Sequence, residues 1–335
     1  MNRIDFVIIA FLVCMATGCG KTTHNVITVN GVVAAEAIGT TLPHEHILVD
    51  FIGADSIRPG RYTTDSVVAK ALPYLIELKS KDCQTFIDCT PNYIGRDVNL
   101  LQRLSLESGV NIVTNTGYYG AAGQKYLPHH AFTESAEQLA DRWIQEFENG
   151  IDETAIKPGF IKLGADAGPL TGEQKKIMKA GAITHLKTGL TIAVHSGDGN
   201  AAREELKIFL ENGVAPDAFI WVHAQNEKDF TVFHEIASQG AWVEFDGLNA
   251  DNTEEYVNML TYMKKHSLLQ RTLVSHDAGW YHVGEKNGGD FRAFTSLFTN
   301  LIPRLKEEGF SEEDIDQLIG KNPGEAFAVR IRRKV

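Results

Sequence analysis

The sequence predicts an α/β fold: a (β/α)8 TIM barrel with a short N-terminal β element and closing C-terminal helices. Three observations predict it. Eight short apolar runs recur between residues 39 and 277, stretches of helical periodicity separate them, and no linker or change of composition interrupts the alternation. Strands alternating with helices build parallel βαβ units, and eight such units in roughly 250 residues is the proportion of a closed barrel. An open doubly wound sheet would need a Gly-rich phosphate loop after its first strand; here that strand carries histidines instead.

The runs are Gly39–Val49, Cys83–Cys89, Val110–Thr116, Phe160–Gly164, Thr191–His195, Phe219–His223, Ala241–Asp246 and Thr272–Asp277. The helical stretches are 65–81, 97–108, 133–149, 172–188, 200–212, 227–239, 253–267 and 290–308. Capping residues open several of them, as in Thr133-Glu134-Ser135-Ala136, and glycines such as Gly109, Gly150, Gly189, Gly213 and Gly240 close others. Val26–Val33 reads as a short strand or hairpin ahead of the barrel, and 314–330 as one or two closing helices broken at Pro323.

Residues 1–24 differ from the rest. Arg3 precedes an uncharged apolar run, Phe6 to Met15, and then Ala16-Thr17-Gly18-Cys19. A run this short suits a signal-peptide core and not a bilayer span, which needs roughly 20 residues. Small residues before a cysteine resemble a lipoprotein processing site, so the expectation is export with lipid attachment at Cys19, followed by a single domain over 26–335. Gly20-Lys21-Thr22 is no phosphate loop, because Met15 stands where that motif needs glycine. Cys83 and Cys89 flank one predicted strand about 20 Å long, too far apart for a disulfide.

A net charge of −11 excludes the basic footprint of a nucleic-acid binder. It also leaves no basic patch for anionic lipid, so membrane association is expected only through the anchor.

The chemistry lies in where the histidines fall. His44 and His46, two apart on the first strand, share one face, and in a barrel that face points inward. His195 ends the fifth strand, His223 the sixth and Asp277 the eighth, while Lys162 lies in the fourth. Barrel enzymes keep their active sites at C-terminal strand ends, and so many buried ionisable groups would be costly without partners. A metal cluster accounts for them. Lys162 is the unexpected member, because an ammonium repels cations. It fits if its amine has combined with CO2 to give an anionic carbamate able to bridge two ions; the alternative is a lysine paired with Asp166 or an equivalent acid.

Thr41-Leu42-Pro43-His44-Glu45-His46, Gly159-Phe160-Ile161-Lys162, Val194-His195, Val222-His223, Ser275-His276-Asp277 and Asn322-Pro323-Gly324-Glu325-Ala326-Phe327 together resemble the phosphotriesterase-related proteins of the amidohydrolase superfamily. Cys89-Thr90-Pro91 with Gly95-Arg96-Asp97 adds to the likeness, which runs from residue 26 to about 330. The resemblance implies that His44, His46 and Asp277 hold a buried divalent ion, that His195 and His223 hold a more exposed one, and that carboxylated Lys162 bridges both. It implies a hydroxide nucleophile whose proton Asp277 accepts, and it allows a homodimer. Zinc is the default for imidazole and carboxylate donors, with manganese, cobalt or iron fitting the same set.

The second tyrosine of Tyr118-Tyr119 resembles one that faces substrate in lactonase-like relatives. Trp280, Tyr281 and His282 are expected to line the pocket mouth, with Trp280 against the substrate. At Gly247 organophosphate-degrading relatives carry His and homoserine-lactone-degrading relatives Arg; this chain has neither, which argues against efficient catalysis of either reaction. The expected substrate is a lactone or a carboxylic or phosphoric ester. A mononuclear amidohydrolase of deaminase type is the alternative, but such barrels generally lack the bridging lysine. A non-catalytic surface protein on the same scaffold is a third reading, opposed by the presence of every ligand. His276 should face away from the metals, and His129, His130, His185, His234 and His266 carry no expected role.

Overall fold

The computed structural model describes residues 24–335; the expected leader, with Cys14 and Cys19, lies outside them. Strands β1 (Asn25–Thr28) and β2 (Gly31–Ala34) pair antiparallel as the anticipated hairpin. The barrel follows: β3 (Thr40–Val49), β4 (Cys83–Asp88), β5 (Asn111–Val113), β6 (Asn115–Thr116), β7 (Phe160–Ala165), β8 (Thr191–Ser196), β9 (Phe219–Val222), β10 (Trp242–Phe245), β11 (Thr272–Val274) and β12 (Gly279–His282). β6 to β11 form one ladder in chain order, and β12, β3, β4 and β5 form another. All their pairings are parallel. β6 resumes β5 after one residue and β12 resumes β11, so the ladders close into a barrel of eight staves. The fold expected from the sequence is the fold observed.

The staves are connected by helices α1 (Thr64–Ser80), α2 (Val98–Ser108), a short α3 (His129–Thr133), α4 (Ala136–Asn149), α5 (Gly172–Thr188), α6 (Gly199–Glu211), α7 (Phe230–Ser238) and α8 (Thr253–Lys265). Ser135 and Thr171 begin α4 and α5 with full capping boxes, and Gly109 and Gly189 end α2 and α5 in the left-handed conformation. Ile87, Val113, Phe160, Ala193, Ile220 and Trp242 fill the barrel interior, while a larger apolar layer lies between strands and helices.

Two C-terminal segments differ from expectation. The last long helix begins near Ser296 instead of 290, because Arg292 is held in a backbone bridge to Gly279. Its first turn, Leu297–Leu301, is a π-turn that runs into α9 (Ile302–Glu307), just ahead of Pro303. The C-terminal segment does the same. α10 (Glu312–Asp316) passes through a π-turn, Gln317–Lys321, into α11 (Asn322–Ala326), so Pro323 does not break the helix. A wider turn before proline accommodates both its missing N–H and the bulk of its ring.

The eighth stave is irregular where it matters. Asp277, between β11 and β12, adopts φ 50°, and Gly279, which opens β12, φ 89°. A Cβ at Gly279 would stand 1.9 Å from the His46 carbonyl oxygen, so this close approach requires glycine. The buried Glu45 carboxylate repairs the interrupted ladder. It accepts from the Ser275 hydroxyl (2.7 Å) and from the backbone N–H groups of His276 (3.1 Å) and Ala278 (2.8 Å). His276 is structural, as anticipated: Nδ1 contacts Glu45 at 2.6 Å and Nε2 accepts from the Leu297 N–H.

Candidate metal centre

All six expected donors, His44, His46, Lys162, His195, His223 and Asp277, line one cavity of about 210 Å³ at the C-terminal end of the barrel, together with Tyr119 and Trp280. Strand periodicity puts them there. His44 and His46 project inward from β3, Lys162 from β7 and His195 from β8. His223 and Asp277 stand just past β9 and β11 with φ of 64° and 50°, a left-handed backbone that turns each side chain back over the barrel mouth. Uncommon backbone of this kind on non-glycine residues clusters at functional sites.

Three donors converge. Asp277 Oδ1 lies 3.0 Å from His46 Nε2 and 3.7 Å from His44 Nε2, and the three atoms fall within 4.8 Å of one another. The His195 ring packs at 4.4 Å from His223 and 5.0 Å from Tyr119. Lys162 is 2% exposed, yet its Nζ has no hydrogen-bond partner. The alternative pairing of Lys162 with Asp166 does not occur. Asp166 instead accepts from the N–H groups of Ala122 and Gly123 and from the Gln174 amide.

A second set of side chains orients the first, and sequence reasoning missed it. Asp246 holds two imidazoles at once, with His223 Nδ1 at 2.5 Å and His44 Nδ1 at 3.0 Å. His44, His223 and Asp246 could by proximity be taken for a ligand group. The engaged nitrogens are the Nδ1 atoms, however, which leaves both Nε2 lone pairs for the cavity. That is the arrangement of a carboxylate behind metal-binding histidines. Thr90 Oγ1 plays the same part for His46 Nδ1 at 2.7 Å. Gln225 clamps Asp246 by donating to Oδ1 and accepting from its N–H.

Protonation fits the same picture. Burial works to raise the Asp246 carboxyl, but His223 and His44 beside it prevail and hold it well below the usual range. Burial pushes neighbouring Glu244 up, so Asp246 is the anion of this pair. Burial lowers His46 to about 4 and, with His223 alongside, drops His195 well below its ordinary value. His46 and His195 are thus neutral, the form that ligates metal. Burial works to lower His44 too, but Cys89 and Asp246 nearby prevail and hold it well above its ordinary value, so an ion there would have to displace its proton.

The pocket wall is apolar. Phe51 stacks on Trp280 at 5.4 Å, Trp280 meets His46 at 4.9 Å, and Tyr119 meets Tyr126 at 5.9 Å. Tyr119 reaches its place because Gly164 opposite has no side chain; a Cβ there would lie 2.7 Å from the ring. Tyr118 points away and bonds His130 Nε2 at 2.9 Å. The mouth differs from expectation in two respects, since neither Tyr281 nor His282 lines the cavity. Tyr281 is buried in the core, because β12 continues the stave and alternate side chains face opposite ways. His282 lies behind Trp280, at 5.9 Å. Gly247 packs beneath Gln225 and Tyr256, where a Cβ would meet their ends at 3.0 and 3.1 Å, and it does not line the cavity.

Comparison with known proteins agrees with this geometry. A homology protein from Escherichia coli, named for phosphotriesterase, is 29% identical over 293 residues, covering 86% of this chain and 98% of its own. An aryldialkylphosphatase from Saccharolobus solfataricus is 27% identical, covering 88% of this chain and 97% of its own. An N-acetyltaurine hydrolase from Dictyostelium discoideum is 28% identical over 270 residues, 76% of this chain and 71% of its own. The solved organophosphorus hydrolase of Deinococcus radiodurans shares the fold with a TM-score of 0.83 at 24% identity, over 92% of this chain and 98% of its own. The phosphotriesterase family model matches residues 24–327, and the chain belongs to that family of hydrolases.

Proposed function

We propose that the protein is a metal-dependent hydrolase with a binuclear centre bridged by carboxylated Lys162, acting on neutral esters, lactones among them. The observation that carries this reading is the unpartnered Lys162 Nζ in a cavity lined by four histidines and Asp277. An ammonium buried without a counter-charge is costly. Loss of a proton from that ammonium gives an amine whose reaction with CO2 forms an N–C bond, releases a second proton and turns the liability into an anionic oxygen donor. His44, His46 and Asp277 would hold one ion, and His195 and His223 the other. When bound, the ions supply a water acidified towards neutrality and a Lewis acid for the carbonyl or phosphoryl oxygen.

The chain's own residues do the rest. Asp277, whose carboxylate lines the cavity, is placed to take the proton of the attacking water. Asp246 and Thr90 fix the imidazoles. Phe51, Trp280 and Tyr126 shield the reacting group from bulk water. Apart from Lys162, no lysine or arginine among the described residues lines the cavity. That favours a neutral substrate over an anionic one such as the N-acetyltaurine of the Dictyostelium relative's name. The resemblance of Tyr119 to the substrate-facing tyrosine of lactonase-like relatives, with the ring in the cavity, favours a lactone or carboxylic ester ahead of a phosphotriester.

The test is metal content per chain after expression with zinc and bicarbonate. About two ions are expected, falling sharply in Lys162→Ala. About one ion, indifferent to Lys162, would favour the mononuclear alternative. Export with lipidation at Cys19 is proposed on the sequence alone; mass spectrometry should find a diacylated cysteine at the mature N-terminus, and an intact Met1 would refute it.

A further inference from the structure

The eighth stave carries a metal donor and a wall residue three positions apart on unusual backbone. Asp277 has φ 50°, and Trp280 has φ 77°. Left-handed backbone on non-glycine residues persists only where the surroundings hold it, and here Asp277 is held on both sides. Its N–H donates to the His44 carbonyl at 3.1 Å. Its carbonyl oxygen accepts from Trp280 Nε1 at 2.9 Å and from the guanidinium of Arg292, one donor for each lone pair. The same guanidinium stands over the Trp280 ring, 5.7 Å from its centroid. The Arg292 backbone exchanges two hydrogen bonds with Gly279, at 2.9 and 3.1 Å. Its neighbour Phe291 is buried against Tyr74 and Phe294, which fixes where that backbone runs. Arg292 itself is exposed and does not line the cavity.

We propose that Arg292 is a positioning residue that joins Asp277 and Trp280 into one unit, so that the inner metal position and the substrate wall are set together. Arg292 acts on the ligand through the main chain: by fixing the Asp277 carbonyl it fixes the backbone that turns the carboxylate over the barrel mouth. Through the indole it keeps Trp280 against His46, 4.9 Å away. Without the guanidinium, the Asp277 carbonyl has Trp280 as its one remaining donor and the ring loses a cation from its face. The backbone bridge to Gly279 uses no side-chain atom and survives substitution, so a variant is expected to fold. The metal half of the inference rests on the metal-centre reading above; the Trp280 half stands apart from it.

The test is Arg292→Met in the full-length chain, which keeps an aliphatic stem and loses the charge and the donors. Of the four tryptophans, Trp143, Trp221 and Trp242 are at most 1% exposed, so acrylamide quenching of intrinsic fluorescence reports Trp280. Trp280→Phe should lose the quenchable component and checks that assignment. In Arg292→Met, quenching of the metal-free chain should rise. Competition with a chromophoric chelator should show one zinc ion held about 10-fold less tightly and the other at wild-type affinity. Arg292→Lys, which keeps the cation without the fork, should fall between the two chains. Unchanged quenching, unchanged zinc affinity or an equal loss at both metal positions overturns the proposal. A wild-type chain that binds no zinc refutes the metal centre instead, and quenching alone then decides for or against Arg292. Circular dichroism checks folding, and Arg292→Lys replaces the methionine variant if that one is misfolded.

Discussion

Asp246→Asn separates an orienting carboxylate from a ligand. Asp246 is buried, anionic and touches no cavity-facing Nε2; it acts through the Nδ1 atoms of His223 and His44, one histidine from each expected metal position. Asparagine keeps the shape but has one acceptor oxygen, and its NH2 group must face the other imidazole. That imidazole then loses its N–H acceptor and either turns or changes tautomer. Loss of one such partner weakens metal binding by about 10–100-fold, roughly 1.4–2.8 kcal/mol at 1.4 kcal/mol per tenfold. If both imidazoles are released, the loss approaches about 3–5 kcal/mol. The assay is competition with a chromophoric chelator for zinc, with circular dichroism as the check on folding. The expected variant is folded, holds both ions less tightly and gives biphasic release. Wild-type affinity at both positions would refute the orienting role.

Three further outcomes follow from the packing. Trp280→Ala should leave metal content intact and raise KM for hydrophobic esters by about 5–30-fold, the equivalent of roughly 1–2 kcal/mol of aromatic contact; an unchanged KM would remove Trp280 from the substrate wall. Glu205 is fully buried and bonded to Ser196 at 2.6 Å, and burial raises its carboxyl from 4.5 to about 8. Between those values the folded chain holds a proton that the unfolded chain has lost. Its contribution is therefore complete below about pH 4.5 and is lost as pH climbs towards 8. Denaturant titrations at pH 5 and 8 should show that fall in wild type and much less in Glu205→Gln, and parallel curves would contradict it. Gly279→Ala should cost roughly 2–6 kcal/mol through positive φ and overpacking, read as a lower urea midpoint; a neutral effect would mean the His46 carbonyl yields freely.

The barrel was legible because its signals are local. Each stave is a short apolar run stopped by a cap, and His44, His46, Lys162, His195, His223 and Asp277 fall at or near strand ends, where inward direction follows from a period of two. Residues that act through others were harder to see. Asp246 and Glu244 stand two apart in Trp242-Val243-Glu244-Phe245-Asp246, an inward acidic pair on an otherwise apolar strand. That pattern was readable in principle, but the reading of this segment went to Gly247, which packs elsewhere. Glu45 lies between two histidines and faces the opposite side of the strand; its role depends on a ladder break 230 residues away, which no local pattern encodes. Tyr281 was misplaced for the same reason, since the stave resumes after the break.

The central claim, two ions bridged through a carboxylated Lys162, is tested most directly by diffraction at the zinc edge from crystals grown with zinc and bicarbonate. The account predicts two anomalous peaks, one among His44, His46 and Asp277 and one between His195 and His223, with carbamate density on Lys162 Nζ between them. A single peak with a bare lysine would contradict it.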